Sequence, residues 1–301
     1  MNIDPRHVAN AVTARSLYLD NLNPQEAMAD WHYAVRQARK LVANALRASD
    51  YFADVGAALR SDGAHTLVYR QLLAPPMSQD QFKLVCPLWD KGSENNARPL
   101  RPAAALAAAA VIMERLYHGV VGWAAGGRPR STGDVVALLR VASTLMALQK
   151  VSTARRNRLA FEQEYAVVEL LEAEGWTKLP SKLIDTRAAV APRHFMHKTR
   201  FATNTTTAQE VDIACGLPAS YVLAMECKVT NDETNSVKRV NDVLKKASAW
   251  KAHWGSFVMT AALLQGVIAP KDVQRLTAAN IHVFWSHDLG EFHKWLLTQT
   301  A

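Results

Sequence analysis

The sequence has few cysteines and only a short alanine-rich apolar run. Its three cysteines, Cys86, Cys215 and Cys227, are widely spaced and odd in number, which argues against a disulfide framework and for a reducing compartment. The alanine-rich segment 103–113 is apolar but too short to cross a bilayer. The N-terminus lacks a hydrophobic segment behind a basic start. We therefore expect a cytoplasmic protein with no signal peptide and no membrane partner.

The composition indicates an ordinary globular protein with an excess of basic residues. At 301 residues the chain allows one large domain or two of about 150 residues, and 49% of its residues are hydrophobic and 21% charged. The net charge of +8 favours a polyanionic partner and raises nonspecific affinity for DNA or RNA. Many soluble proteins are this basic without binding nucleic acid, so charge supports this interpretation only weakly.

The hydrophobic pattern divides the chain into two parts, 1–150 and 151–301. The first part is predicted to be mainly helical, with a helix that begins at Asn23-Pro24 and an irregular segment over 86–102. Its other helices are predicted over 51–72, 103–118 and 132–150. The turn 126–130 lacks the Gly-Lys-Ser/Thr ending of a phosphate loop.

The second part has a mixed α/β pattern. Its strands are predicted over 209–214, 221–229, 256–263 and 281–285, and its helices over 158–174, 236–254, 270–279 and 288–298. We expect the 236–254 helix to be capped by Thr234 or Asn235. A strand, helix, strand order indicates parallel pairing. The sequence therefore predicts an α/β (α+β) fold with a mixed central sheet flanked by helices and preceded by a mainly helical region.

Two of these apolar strands carry charges where a buried strand should have none. Because side chains alternate along a strand, Glu226 and Lys228 share one face, while Cys227 points to the other and is expected to pack in the core. Thirteen residues separate Asp212 from Glu226, enough for a strand and a turn. A hairpin would bring Asp212 next to Glu226 and Lys228. Burying such charges is costly and needs a reason.

These three charges suit phosphodiester hydrolysis. Two carboxylates offer the hard oxygen ligands that Mg²⁺ prefers, and the metal polarises a phosphate and lowers the pKa of a bound water. The ammonium of Lys228 would orient that water and offset charge on the phosphoryl oxygens. The alternative is that Glu226 and Lys228 form a same-face ion pair on a partly exposed strand.

The spacing resembles that of the PD-(D/E)xK nuclease superfamily, in which an acidic residue is followed by acid-x-Lys on the next strand. The residues after Lys228, through position 241, are similar to those of XamI-type type II restriction endonucleases, and the similarity covers roughly 205–290. The resemblance implies a restriction-endonuclease-like core over 151–301, with Asp212 and Glu226 as Mg²⁺ ligands and Lys228 as the catalytic lysine. Val211 stands where the general pattern has proline, and Glu210 is an alternative ligand.

The resemblance also implies an activity and partners. The expected function is Mg²⁺-dependent hydrolysis of both strands of double-stranded DNA at a short specific sequence, by a homodimer that matches a palindromic site. A cognate DNA methyltransferase is the implied genetic partner, and region 1–150 would serve DNA recognition or dimerisation. Many superfamily members place an extra carboxylate on the preceding helix. Glu164 is our choice for that catalytic residue, although an exposed acidic helix face explains it equally well.

Basic and polar residues around the proposed site are candidates for contacts with DNA. The segment 182–200 is rich in Lys and Arg and leads into the Asp212 strand. We expect it to be a loop. A polar run follows Lys228, in which Asn235 and Ser236 are expected to contact phosphates or cap the helix. The predicted DNA-binding residues are Arg193, Lys198, Arg200, Asn231, Asn235, Ser236, Lys238 and Arg239. His194 and His197 lack a suitably spaced Cys or His partner, so zinc is not favoured.

Two other functions remain open on the sequence. One is a structure-specific DNA repair or junction-resolving nuclease of the same superfamily, which would cut without sequence preference. The other is a non-catalytic DNA-binding protein on a nuclease fold. A site that has lost its chemistry usually lacks one of its charged residues, and here all three are present.

Overall fold

The chain folds into two compact units. The computed structural model describes residues 4–21, 24–125, 129–204 and 207–300. One unit is Pro24–Ala154, and the other combines Met1–Asn23 with Arg155–Ala301. The change of unit therefore lies close to the change of hydrophobic pattern at residue 150, but the N-terminal segment belongs with the C-terminal unit. The role assigned to the helical part stays a prediction.

The unit Pro24–Ala154 is helical. Ser78 caps α5 in a capping box with Gln81, and Pro102 occupies the first turn of α7, where its missing N–H costs nothing. Its helices are α2 (Pro24–Ala48), α3 (Val55–Ser61), α4 (His65–Gln71), α5 (Gln79–Val85), α6 (Lys91–Asn95), α7 (Pro102–Arg115), α8 (His118–Val121) and the first part of α9 (Thr132–Ala173). The predicted helical character of this region is confirmed.

Some details of that prediction were wrong. Region 51–72 contains two helices, with Gly63 in the break between them, where a Cβ would come within 2.3 Å of the Arg98 carbonyl oxygen. The irregular segment 86–102 contains α6. Pro24 begins α2 as expected, whereas Asn23 and most of the 126–130 turn lie outside the described residues.

The two helices predicted over 132–150 and 158–174 are one 42-residue helix, α9 (Thr132–Ala173). The intervening residues 151–157 contain neither glycine nor proline, so no local signal ends the helix. Within the described residues, α9 is also the one helix long and apolar enough to cross a membrane by length and composition alone. Its most apolar 18-residue window has a mean hydropathy of 1.4 and is 28% buried. Core helices of soluble proteins meet the same two criteria.

The other unit is built on a seven-stranded mixed sheet with the order β1-β3-β4-β5-β6-β7, in which β2 also pairs with β3. The strands are β1 (Thr177–Leu179), β2 (Leu183–Ile184), β3 (His194–Phe201), β4 (Gln209–Gly216), β5 (Val222–Thr230), β6 (Val258–Gly266) and β7 (His282–Trp285). The strands β3, β4 and β5 pair antiparallel, and β5, β6 and β7 pair parallel. The predicted mixed sheet is confirmed.

Part of the basic segment is a strand rather than a loop. β3 buries Phe195 on one face of the sheet and Met196 and Phe201 on the other. It pairs with β4 from Phe195↔Cys215 to Phe201↔Gln209. Phe195 and Phe201 would share a face in a regular strand, but Lys198 has a φ of 53° between them, so the apolar residues of β3 do not alternate simply along the sequence.

Helices cover both faces of the sheet. Val167 and Leu171 of α9 pack with Phe292 and Leu296 of α12 (Leu289–Thr300) on one face. On the other face lie α10 (Glu233–Trp254), α11 (Pro270–Ala278) and α1 (Pro5–Asp20). The carboxylate of Asp232 caps α10 by accepting the Asn235 N–H, so the expected caps were wrong and the helix begins three residues earlier than predicted.

Candidate active site

The site lies where β4 and β5 separate. Their antiparallel pairing runs from Gly216↔Val222 to Ile213↔Met225 and ends there. The next residues along the two strands are Asp212 and Glu226. Instead of backbone pairing at this point, a carboxylate oxygen of Asp212 accepts the N–H of Cys227 at 2.7 Å. The two acidic side chains are therefore held at a fork in the sheet.

Glu226 is fully buried, with 0% of its surface exposed. Its Oε2 accepts hydrogen bonds from Lys228 Nζ at 2.6 Å and from Lys246 Nζ at 2.8 Å. Its Oε1 is also buried and has no hydrogen-bond partner among the described residues. An unsatisfied buried carboxylate oxygen is costly and indicates a ligand position. Burial raises the pKa of Glu226 above its ordinary value, and the Lys228 ammonium offsets this shift only in part.

Lys228 lies among three carboxylates. Its Nζ is 2.6 Å from Glu226 Oε2, 3.4 Å from Asp242 Oδ2 and 3.8 Å from Asp212 Oδ2. Burial alone would lower the pKa of Lys228, but the neighbouring carboxylates of Glu226 and Asp212 outweigh it and raise the pKa. Lys228 therefore stays an ammonium at neutral pH. The predicted proximity of Asp212, Glu226 and Lys228 is present in the structure.

Cys227 points to the opposite face of the sheet, as its position between the two charged residues predicts. Its side chain packs in the core beside Val167 and Leu171 of α9. Burial raises the pKa of the Cys227 thiol well above its ordinary value. Cys227 is therefore a neutral core residue rather than a nucleophile.

Glu164 is buried but is engaged by other partners. Its Oε2 lies 2.7 Å from His197 Nε2 and 3.1 Å from Lys198 Nζ, both on β3. His197 was considered with His194 as a possible zinc pair, and its contact with Glu164 was not predicted because the two residues stand 33 positions apart in the sequence. The role of Glu164 as an extra carboxylate stays a prediction.

Two residues of the site were not singled out from the sequence. Asp242 and Lys246 stand four apart on α10, which places them on one side of the helix, facing Lys228 and Glu226 respectively. The i, i+4 spacing of an acid and a lysine on the helix after the charged strand was the available signal. The same spacing is equally typical of an ordinary ion pair on a solvated helix surface.

The predicted DNA contacts occupy different environments. Lys198 and Arg200 are exposed on β3, and Arg193 donates to the Glu174 carbonyl at 2.6 Å. Glu210, the alternative ligand, is exposed and pairs with Arg200 in the β3–β4 register, away from the fork.

The α10 candidates also differ in exposure. Asn231 and Lys238 are exposed and Arg239 is half-buried, while the Asn235 side-chain amide donates to Asn231 at 3.0 Å. Ser236 is fully buried and donates to Asp272 at 2.9 Å, which ties α10 to α11. The Ser236 hydroxyl is therefore engaged inside the protein, and its contact with phosphate stays a prediction that the packing does not support.

The residues at the fork suit a Mg²⁺ ion. Asp212 and Glu226 supply oxygen atoms, and the orphaned Oε1 of Glu226 is an atom that a cation would satisfy. In the described part of the chain, no group of three or more His, Cys, Asp or Glu is arranged to hold a metal. Mg²⁺ commonly binds through one or two carboxylates, with waters and substrate phosphates as its other ligands, so two carboxylates are sufficient.

The comparison with protein families identifies the family to which the chain belongs. The family model for the XamI restriction endonuclease matches residues 50–285. The chain belongs to the XamI restriction endonuclease family. The match confirms the resemblance found in the sequence and extends it toward the N-terminus, from about residue 205 to residue 50 in the helical region.

A named relative supports the family assignment. The chain is 31% identical over 194 residues to the type II restriction enzyme XamI of Xanthomonas campestris pv. amaranthicola, and the matched region covers 62% of this chain and 66% of that enzyme. Among solved structures, protein VC1899 from Vibrio cholerae is 10% identical with a TM-score of 0.32, covering 89% of this chain and 57% of that one. That TM-score is too low to support any statement about fold or function.

Proposed function

We propose that this member of the family is a type II restriction endonuclease that hydrolyses both strands of duplex DNA at a short specific sequence. The observation that carries the proposal is the fork at β4 and β5, where Asp212, Glu226 and Lys228 meet and Glu226 keeps a buried, unpartnered oxygen. A merely structural ion pair would have its polar atoms satisfied. The 31% identity to a type II restriction enzyme supports the same reaction class.

In this proposal Asp212 and Glu226 hold Mg²⁺. When bound, the ion would polarise the scissile phosphate and lower the pKa of a water molecule. The Cys227 N–H orients the Asp212 carboxylate through its 2.7 Å hydrogen bond. Oε1 of Glu226 is the oxygen that would coordinate the ion, since two lysines already bind Oε2.

Lys228 acts on the substrate side of the same site. Its ammonium is retained at neutral pH and would orient the attacking water and offset negative charge on the phosphoryl oxygens. Its contacts with three carboxylates hold the ammonium in place before DNA arrives. The two carboxylates and the lysine thus provide metal binding and charge stabilisation from adjacent positions.

The surface near the fork supplies candidates for gripping DNA. Lys198 and Arg200 on β3, with Lys238 and Arg239 at the start of α10, present positive charge that suits phosphates. Arg193, Asn231 and Asn235 complete the proposed set. A homodimer would match a palindromic site, and a methyltransferase acting on the same sequence would protect the host DNA in the cytoplasm.

The test is digestion of a DNA of known sequence with Mg²⁺, followed by mapping of the ends. Discrete fragments with ends at one short sequence support the proposal. Cleavage without sequence preference, confined to branched or damaged DNA, would instead indicate a repair or junction-resolving nuclease. Binding without Mg²⁺-dependent cleavage of any DNA would indicate a non-catalytic protein.

A pair of variants assigns the cleavage to this site. Lys228→Ala should abolish cleavage while DNA binding, measured with Ca²⁺ in place of Mg²⁺, remains. Lys245→Ala is the matched control, because Lys245 is an exposed lysine on α10 and makes none of the site's ion pairs. Full cleavage by Lys228→Ala would contradict the assignment.

A further inference from the structure

The α10 lysine beside Glu226 has a simpler environment than Lys228. Lys246 Nζ contacts Glu226 Oε2 at 2.8 Å, whereas Lys228 lies within 4 Å of Asp212 and Asp242 as well as Glu226. Both ammonium groups are largely buried, with 14% of the Lys246 side chain and 11% of the Lys228 side chain exposed. The buried carboxylate of Glu226 therefore has two cationic partners, and one of them, Lys228, also contacts other carboxylates.

If Lys228 were the only cation beside Glu226, any movement of Lys228 would leave the buried carboxylate without a counterion. If Lys228 turns toward a phosphate or a water, Glu226 loses one counterion, and an isolated buried carboxylate is strongly unfavourable. Lys246 keeps its contact with Oε2 when Lys228 moves. Because both lysines bind the same oxygen, Oε1 is left without a hydrogen-bond partner among the described residues.

We propose that Lys246 is a positioning residue that holds Oε2 of Glu226, so that Oε1 faces the metal position and Lys228 is free to serve the substrate. The proposal deepens the nuclease function above and rests on it for the part that concerns catalysis. The part that concerns metal binding stands on the geometry of Glu226. Removing partners of metal ligands typically lowers metal affinity or activity about 10- to 100-fold.

The experiment measures binding of Ca²⁺ alone to the full chain by titration calorimetry, without DNA. Lys246→Met should weaken Ca²⁺ binding about 10-fold, because Glu226 is no longer held in the binding orientation. Lys246→Arg, which keeps a cation and a donor, should restore most of the affinity. Lys245→Met removes the same charge one residue away and should leave the affinity unchanged.

The sign of the change separates positioning from simple charge repulsion. Removing a nearby positive charge would by itself strengthen cation binding. Stronger or unchanged Ca²⁺ binding by a folded Lys246→Met variant would therefore overturn the proposal. Circular dichroism establishes folding, and if Lys246→Met does not fold, Lys246→Gln is measured in its place with the same expected result.

Cleavage kinetics supply the second measurement. Lys246→Met should lower kcat about 10-fold with KM for DNA unchanged, since Lys246 touches no predicted DNA contact. A 10-fold rise in KM with kcat unchanged would overturn the positioning role. If the unchanged chain binds Ca²⁺ and Lys246→Met weakens that binding while no DNA is cut, the nuclease proposal fails and the role of Lys246 survives. If the unchanged chain cuts DNA and Lys246→Met binds Ca²⁺ normally, the proposed role of Lys246 fails and the nuclease proposal survives.

Discussion

The two units each bury an ion pair, and the two pairs differ in how completely they are satisfied. In the helical unit, Arg70 binds both carboxylate oxygens of Glu94, at 2.9 and 2.6 Å, and Gln79 adds a third hydrogen bond at 2.8 Å. In the sheet unit, two lysines bind one oxygen of Glu226, and the other oxygen has no hydrogen-bond partner in the part of the chain that the structure describes. A saturated pair serves stability, while an unsaturated one retains the capacity to bind a ligand.

The largest expected effect concerns the saturated pair. Glu94→Gln removes the charge that balances the buried Arg70 guanidinium, so the free energy of unfolding should fall by about 3 kcal/mol. Urea unfolding of the variant and the unchanged chain measures this difference. Glu226→Gln is the counterpart and should lower the free energy of unfolding by less, because burial already disfavours the ionised form of Glu226 and Lys228 keeps Asp212 and Asp242 as partners. Equal losses would remove the distinction between the two pairs.

The same Glu226→Gln variant should lose cleavage. The amide carries no charge for Mg²⁺, and loss of one electrostatic contributor typically costs about 100- to 1000-fold in rate. Initial rates on a DNA that carries the recognition site measure the loss. A rate within a few fold of the unchanged chain would show that Glu226 is only structural, as Glu94 is.

The pH dependence of stability sharpens the contrast further. Burial raises the pKa of Glu226 above its unfolded value of about 4.5, so the folded state binds more protons than the unfolded state between the two values. The contribution of Glu226 is therefore fully present below about pH 4.5 and is lost as pH rises through the folded pKa. Relative to the unchanged chain, Glu226→Gln should thus become more stable in urea titrations as the pH rises above about 4.5. A constant or falling difference would contradict the raised pKa.

An intermediate case is Glu164, whose Oε2 contacts His197 and Lys198. If it supplies an extra carboxylate to the reaction, Glu164→Gln should lower the cleavage rate about 10-fold. Glu162→Gln is the control, because Glu162 is on the same helix with 56% of its side chain exposed. Equal rates for both variants would leave Glu164 with a structural role only.

The smallest expected effect concerns exposed charge. Lys238→Ala should reduce the slope of log affinity against log salt by about one, because each phosphate contact releases about one counterion. Binding of duplex DNA at several salt concentrations measures the slope. Lys294→Ala on α12, with 76% of the lysine side chain exposed, should leave it unchanged. An unchanged slope for Lys238→Ala would remove Lys238 from the DNA surface.

The sequence by itself determined the class of the protein and the order of its parts. Periodicity predicted a helical first part, a mixed sheet and a β4–β5 hairpin, because these depend on the spacing of apolar residues along the chain. The sequence also singled out Asp212, Glu226 and Lys228, since charged residues inside apolar strands can be recognised without knowing which residues lie next to them in space. Helix ends were less well predicted: α9 continues where a break was expected, and Asp232 caps α10.

Only the tertiary structure decided which charges meet. The orphaned Oε1 of Glu226, the second lysine at position 246 and the pairing of Glu164 with His197 all depend on how helices pack against the sheet. Ser236 looked like a phosphate contact because its sequence neighbours are polar, yet packing against α11 buries it. Contacts between residues distant in the sequence leave no periodic signal. The reaction chemistry could therefore be inferred from local pattern, whereas the arrangement that would support it required the fold.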